Sequence, residues 1–167
     1  MDPVIQWGIT TIVSILSLFA GRYWGLHDRR IEHDKKVLKA ILEVIPSIGS
    51  ILFIRRHDFG ESFNVDDLKD LFRLGELSIR PEFRFLDNKI ENLRLSLVRD
   101  ISKFTSFLGL NSWRTRDGTN KIKEPDEYED LNEYRKIRDY INELAGMVCD
   151  NYDSLIISAS KKGIYTE

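Results

Sequence analysis

The chain lacks a second cysteine, a strong net charge, a glycine-rich phosphate loop and any sustained alternation of apolar with polar residues. Cys149 stands alone, which excludes an intramolecular disulfide and a thiolate zinc cluster. The 25 Lys and Arg against 27 Asp and Glu leave a formal net charge of -2, so no global field draws the chain to nucleic acid. Without strand alternation a sheet is not expected. There is no metalloprotease histidine pair, no nucleophile elbow, no internal repeat and no low-complexity tract. An Asn-x-Ser/Thr acceptor is also missing, which with the single cysteine fits a reducing compartment.

What is present is length for one domain plus one further element: 167 residues, 42% hydrophobic and 31% charged. The unusual feature is where the charge is not. From Pro3 to Gly21 the run PVIQWGITTIVSILSLFAG carries no charged side chain. Its length suits a helix crossing a hydrocarbon core of ~30 Å. Trp7 lies near one end, and Tyr23 and Trp24 just past the other, roughly 24 to 26 Å away along a helix, which is the spacing of an aromatic belt. A cleaved signal peptide should open with positive charge, whereas this chain opens with Asp2 and follows the run with Arg22, Tyr23 and Trp24. A buried core helix is the alternative reading, since Gln6, Thr10, Thr11, Ser14 and Ser17 temper the run's hydrophobicity.

Orientation follows from the flanks. Arg22, Arg29, Arg30, Lys35 and Lys36 follow the run, while Asp2 and the amino terminus precede it, so the carboxyl-terminal bulk is expected in the cytosol and the amino terminus outside the cell (inner) membrane. Trp7, Arg22, Tyr23, Trp24, Arg29 and Arg30 are the expected interface anchors. Thr10, Ser14, Ser17, Gly21 and Gly25 recur in steps of three and four on one helix face. In lipid such small residues let backbones approach and hydroxyls bond across helices, so this face is a candidate association surface. The competing reading has the hydroxyls bonding their own helix and facing lipid.

Beyond the run the pattern is helical. Ile31, Leu38, Ile41, Leu42, Ile45, Ile48 and Leu52 share a face, and Pro46 predicts a kink or a break near Val44 or Ile45. Asn64 is an expected N-cap for a short helix bearing Leu68, Leu71, Phe72 and Leu77. Leu86, Ile90, Leu93, Leu97, Ile101, Phe104 and Leu108 mark a long amphipathic helix that Gly109 should close. Residues 110–125 read as a polar loop. A last helix, from about Asp126 to Ser160, carries the row Leu131, Tyr134, Ile137, Ile141, Leu144, Val148, Tyr152, Leu155 and Ala159, with Gly163 as its stop. The expected fold is therefore all-α: a transmembrane helix in residues 1–26, an elongated cytosolic up-down-up bundle of three long helices in 27–163, roughly 40 to 50 Å long, and a short tail in 164–167.

Three groups of residues bear on chemistry. The pairs His27-Asp28, His33-Asp34 and His57-Asp58 resemble the His-Asp dipeptide of HD-superfamily phosphohydrolases, which implies a metal site to which Asp87, Asp100 or Asp126 would add oxygen. Arg22 and His27 have the R-x4-H spacing of HEPN ribonucleases, a resemblance of six residues that implies RNA cleavage. Both sets also read as solvated or anchoring charge beside a membrane. Trp113, Arg114, Arg116, Lys121 and Lys123 form a candidate ligand loop for nucleotide, single strands or anionic lipid, although the acidic run from Glu124 to Glu133 beside it would repel phosphate.

The leading expectation is a single-pass membrane protein acting through protein contacts and self-association, with the bilayer, its own copies or another membrane or cytosolic protein as partners. It names no catalytic residue, cofactor or metal, and nucleic acid is not an expected partner. The alternatives are a membrane-perturbing effector, similar in architecture to small bacterial defence or phage-exclusion proteins, and a helical metal hydrolase or ribonuclease.

Overall fold

The computed structural model describes residues 28–122 and 131–165. The apolar run, its association face Thr10, Ser14, Ser17, Gly21 and Gly25, and the anchors Trp7, Arg22, Tyr23 and Trp24 lie outside those residues, as does Lys123. Among the described residues, no helix is long and apolar enough to cross a membrane.

The described chain is mostly helical, with α1 at residues 28–44, α2 at Ser50–Arg56, α3 at Lys69–Leu77, α4 at Asn88–Asn111 and α5 at Leu131–Lys161. Pro46 ends α1 where expected. It cannot donate to residue 42, and the last regular bond is Ile45 N–H to the Ile41 carbonyl at 2.9 Å. The carbonyl of Ile45, orphaned by the break, accepts the Tyr152 hydroxyl at 3.2 Å. Gly49 then leads into α2, at a point where a Cβ would collide with the Asp70 carboxylate.

Hydrogen bonds between elements fix their directions. Asp34 of α1 accepts the Leu86 and Asp87 amides at the start of α4, while Ile45 at the α1 break meets Tyr152 midway along α5. Asn142, nearer the start of α5, bonds Asp58 and Phe59 beyond α2. Thus α1 with α2 runs antiparallel to α5. Asp87 pairs with Lys162 and Asp100 bonds Asn151, so α4 is antiparallel to α5 as well. The return leg is α3, whose Asp70 bonds Ser50 and beyond whose end the Ser78 carbonyl accepts Arg94. The order is up-down-up-down rather than the expected up-down-up, because residues 69–87 return the chain from the level of Ser50 to that of Asp34 and bring α4 up parallel to α1. A helix of nine residues plus a 3-10 turn at Pro81–Phe83 suffices for that leg.

Most of the apolar row positions converge on one core that includes Ile41, Leu71, Ile90, Phe104, Ile141 and Leu155, all at 0% exposure, whereas Ile48, Phe72 and Leu131 of the expected rows are exposed. The ends of the rows depart from expectation. Leu86 is 51% exposed and lies before α4, whose N-cap is Asp87, accepting from the Lys89 and Ile90 amides at 2.9 and 3.1 Å. Gly109 falls inside α4 and does not close it. Asn64 makes no side-chain cap and precedes the 3-10 turn Val65–Leu68 instead. Gly163, at φ +67, does stop α5: its amide reaches the Ser160 carbonyl and that of Ile164 the Ala159 carbonyl, both at 3.0 Å.

The expected loop after α4 contains a small sheet. Strands β1, Ser112–Arg114, and β2, Asn120–Ile122, pair antiparallel, with Trp113 opposite Lys121 and Gly118 at φ +89 in the turn. Phe63 adds a bridge to Asn120, and Ile122 is wholly buried. Three-residue strands are too short for alternation to show in a sequence.

Candidate functional site

The end of the bundle at which residue 28 emerges gathers a set of charged groups, of which the sequence marks Arg29 and Arg30. Arg29 and Arg30 are exposed on the first turn of α1. One and a half turns on, Asp34 is only 2% exposed, its oxygens accepting the Leu86 amide at 2.7 Å and the Asp87 amide at 3.0 Å. His33 Nε2 lies 3.1 Å from the Arg84 carbonyl. The helix thus grips the 84–87 turn through two successive residues.

Behind that turn sits a buried ion pair. Arg94 holds Glu91 through Nη2 at 2.6 Å and Nε at 2.9 Å, and the Phe85 amide adds a third bond to Glu91 at 3.0 Å. Burial works to raise the Glu91 carboxyl, but these donors outweigh it and hold the group below the ordinary 4.5. Asp87 behaves alike: burial pushes up, while Lys162 and the α4 amides pull it below 3.8. The surface beside this framework is a cleft of about 640 Å³ lined by Arg30, Ile31, Leu86, Lys89, Lys162 and Ile164 among others. It can offer cations and aliphatic surface together, which is a binding chemistry.

The candidate ligand loop is elsewhere. Trp113 is 44% exposed and Arg114 and Arg116 are exposed on the hairpin, with Lys121 partly buried. Thr115, Asp117 and Thr119 knit its turn together. The hairpin follows α4, whose 24 residues put it roughly 36 Å from Asp87. The structure therefore does not bring Trp113 together with Arg29 and Arg30.

The His-Asp pairs also part company. His33 and Asp34 serve different bonds, and Asp58 accepts the Gly60 amide at 2.9 Å and Asn142 at 2.9 Å, which hold its carboxyl below the ordinary range. Asp87 caps α4 and Asp100, 1% exposed, bonds Asn151 at 2.6 Å and Arg99 at 3.1 Å. Among the described residues, no three His, Cys, Asp or Glu groups converge so as to hold a metal. His27, Arg22 and Asp126 lie outside them.

Sequence reasoning missed the surroundings of His57. Its ring stacks on Phe53 at 4.6 Å and meets Phe59 edge-on at 4.9 Å and Phe63 at 6.1 Å. The enclosed Nε2 has no hydrogen-bond partner among the described residues. An adjoining hollow of about 540 Å³ is lined by Arg56, Asp66, Asp67, Lys69 and Asp70 besides His57. The crowding of phenylalanine at 53, 59 and 63 was the available signal. No match to this chain is found among protein-family models, curated proteins or solved structures.

Proposed function

We propose that the chain is a single-pass membrane protein whose helical bundle lies in the cytosol and works by binding a protein partner or its own copies. The observation that carries this reading is the 19-residue charge-free run of residues 3–21. Among the described residues the apolar interior includes Phe59, Phe104, Leu38 and Ile45, all but inaccessible. Arg29 and Arg30 follow the run as exposed cations, on the side the orientation rule assigns to the cytosol.

The mechanism is tethering. Confinement to a surface raises the effective concentration of bundles, so weak contacts in the span and weak contacts between bundles add into an oligomer. Carbonate washing of membranes tests the anchor: the full chain should stay with the pellet, and release as a soluble monomer overturns the reading. Ser14→Leu with Ser17→Leu should reduce the crosslinked oligomer; an unchanged size overturns association through that face.

A second reading rests on the hydroxyls of Thr10, Ser14 and Ser17, which could line a pore in an effector released by the bundle. Induced expression with a membrane-potential dye separates the two. Collapse that Ser14→Leu with Ser17→Leu abolishes favours the effector, and a steady potential favours the interaction protein.

A further inference from the structure

The descending leg returns the chain to the end of the bundle where α1 begins, and it arrives rich in cations. Residues 28–36, 80–92 and 158–165, tied together by the Asp34, His33 and Lys162 bonds, carry nine Lys or Arg against six Asp or Glu. The rest of the described chain carries fourteen of each. Four of the six acids are engaged: Asp34 on backbone amides, Glu91 with Arg94, Asp87 with Lys162 and Glu32 with Lys35. Asp28 and Glu82 remain against exposed Arg29, Arg30, Lys36, Arg80, Arg84, Lys89 and Lys161.

Exposed aliphatic side chains stand among these cations. Ile79 is 86% exposed and Leu86 is 51% exposed. They line two clefts, of about 650 and 640 Å³, that share Asn88. Cations interleaved with protruding aliphatics match the boundary between headgroups and acyl chains, where charge meets phosphate and the apolar tips leave water. Nucleic acid would use the cations and leave Ile79 and Leu86 idle.

Connectivity supplies the rest. Gly21, which ends the charge-free run, is seven steps from Asp28, a reach of at most about 25 Å fully extended. A bundle so tethered never leaves the neighbourhood of the headgroups, and this end is the one the tether presents to them. We infer that the Arg30, Arg80, Arg84, Lys89 and Lys161 end, with Ile79 and Leu86, docks on anionic phospholipid and stands the bundle upright on the bilayer. The inference rests on the membrane-anchored reading and adds the lipid class and the docking residues.

The test uses the full chain in nanodiscs of phosphatidylcholine alone or mixed with phosphatidylglycerol, carrying a fluorophore on Leu86→Cys and, in a separate preparation, on Arg116→Cys at the far hairpin. Acrylamide quenching at position 86 should fall severalfold in the anionic discs and stay unchanged at position 116. Arg80→Gln, Arg84→Gln and Lys89→Gln together should restore the quenching at 86; Arg80, Arg84 and Lys89 are hydrogen-bonded to the fold through backbone atoms, which these changes keep, and circular dichroism checks that helix content is kept. Equal quenching at 86 in both discs, with the chain still resistant to carbonate, overturns lipid docking and leaves the anchor. Carbonate release from both discs overturns the anchor and the docking built on it.

Discussion

Asp34 and Asp87 lie 53 positions apart in sequence, yet a carboxylate oxygen of the first accepts the backbone amide of the second at 3.0 Å, while its other oxygen takes the Leu86 amide at 2.7 Å. One side chain of α1 thereby sets where α4 begins. Asp34→Ala strands two donors, and each unsatisfied buried group costs about 1–3 kcal/mol. The urea midpoint of the detergent-solubilised full chain should drop accordingly. Asp34→Asn keeps one acceptor and should fall between; a midpoint unchanged by Asp34→Ala would show that water replaces the carboxylate.

The Glu91 and Arg94 side chains are 11% and 6% exposed. Arg94→Met leaves Glu91 as a buried, uncompensated charge and should destabilise by roughly 3–5 kcal/mol, more than the same change at exposed Arg84.

The same pair sets a pH dependence. Glu91, Asp87 and Asp58 all have carboxyls held below their ordinary values of 4.5, 3.8 and 3.8. The unfolded chain therefore binds more protons there, and the stability these groups give is full above those values and lost as pH falls through the lowered ones. Unfolding midpoints measured from pH 6 down should fall steeply below ~4, and Glu91→Gln should flatten part of the fall.

Tyr152 gives the opposite sign. Burial first of all pushes its hydroxyl from 10.0 up to about 12. The folded chain keeps the proton longer than the unfolded one, so the stabilisation is complete below pH 10.0 and disappears toward about 12. Tyr152→Phe should be less stable by ~1 kcal/mol at neutral pH, having lost the bond to Ile45. Its disadvantage should shrink and then reverse at alkaline pH; parallel curves for the two proteins would refute the assignment.

Cys149 is 4% exposed, and burial raises its thiol above the ordinary 9.0. A thiol-specific reagent at neutral pH should modify it only when α2 lifts from α5, at a rate that Ile51→Ala increases. Rapid modification of the intact protein would contradict the packing.

Periodicity made α4 and α5 legible, because eleven of their row positions, from Ile90 to Ala159, are buried in the core at helical spacing. The break at Pro46 and the stop at Gly163 were also legible, each being a backbone constraint carried by one residue. The hairpin was not, since Trp113 and Lys121 pair through backbone groups that every residue has. The parallel course of α1 and α4 was hidden for a different reason. It depends on Asp34, Glu91 and Arg94, charged residues that a hydropathy pattern assigns to the surface and that the fold buries around backbone donors. Of the site, Arg29 and Arg30 could be read from their place beside the run, whereas Arg80, Arg84 and Lys89 join them only through the folded descent of residues 69–87.

An even number of legs has a practical corollary. Residues 28 and 165 leave the bundle on one side, beside the clefts, while Gly118 caps the opposite pole. A fluorescent protein fused after residue 167 would crowd that side, whereas one inserted at the turn between Thr115 and Gly118 would project freely and report on the molecule without shouldering it off its support.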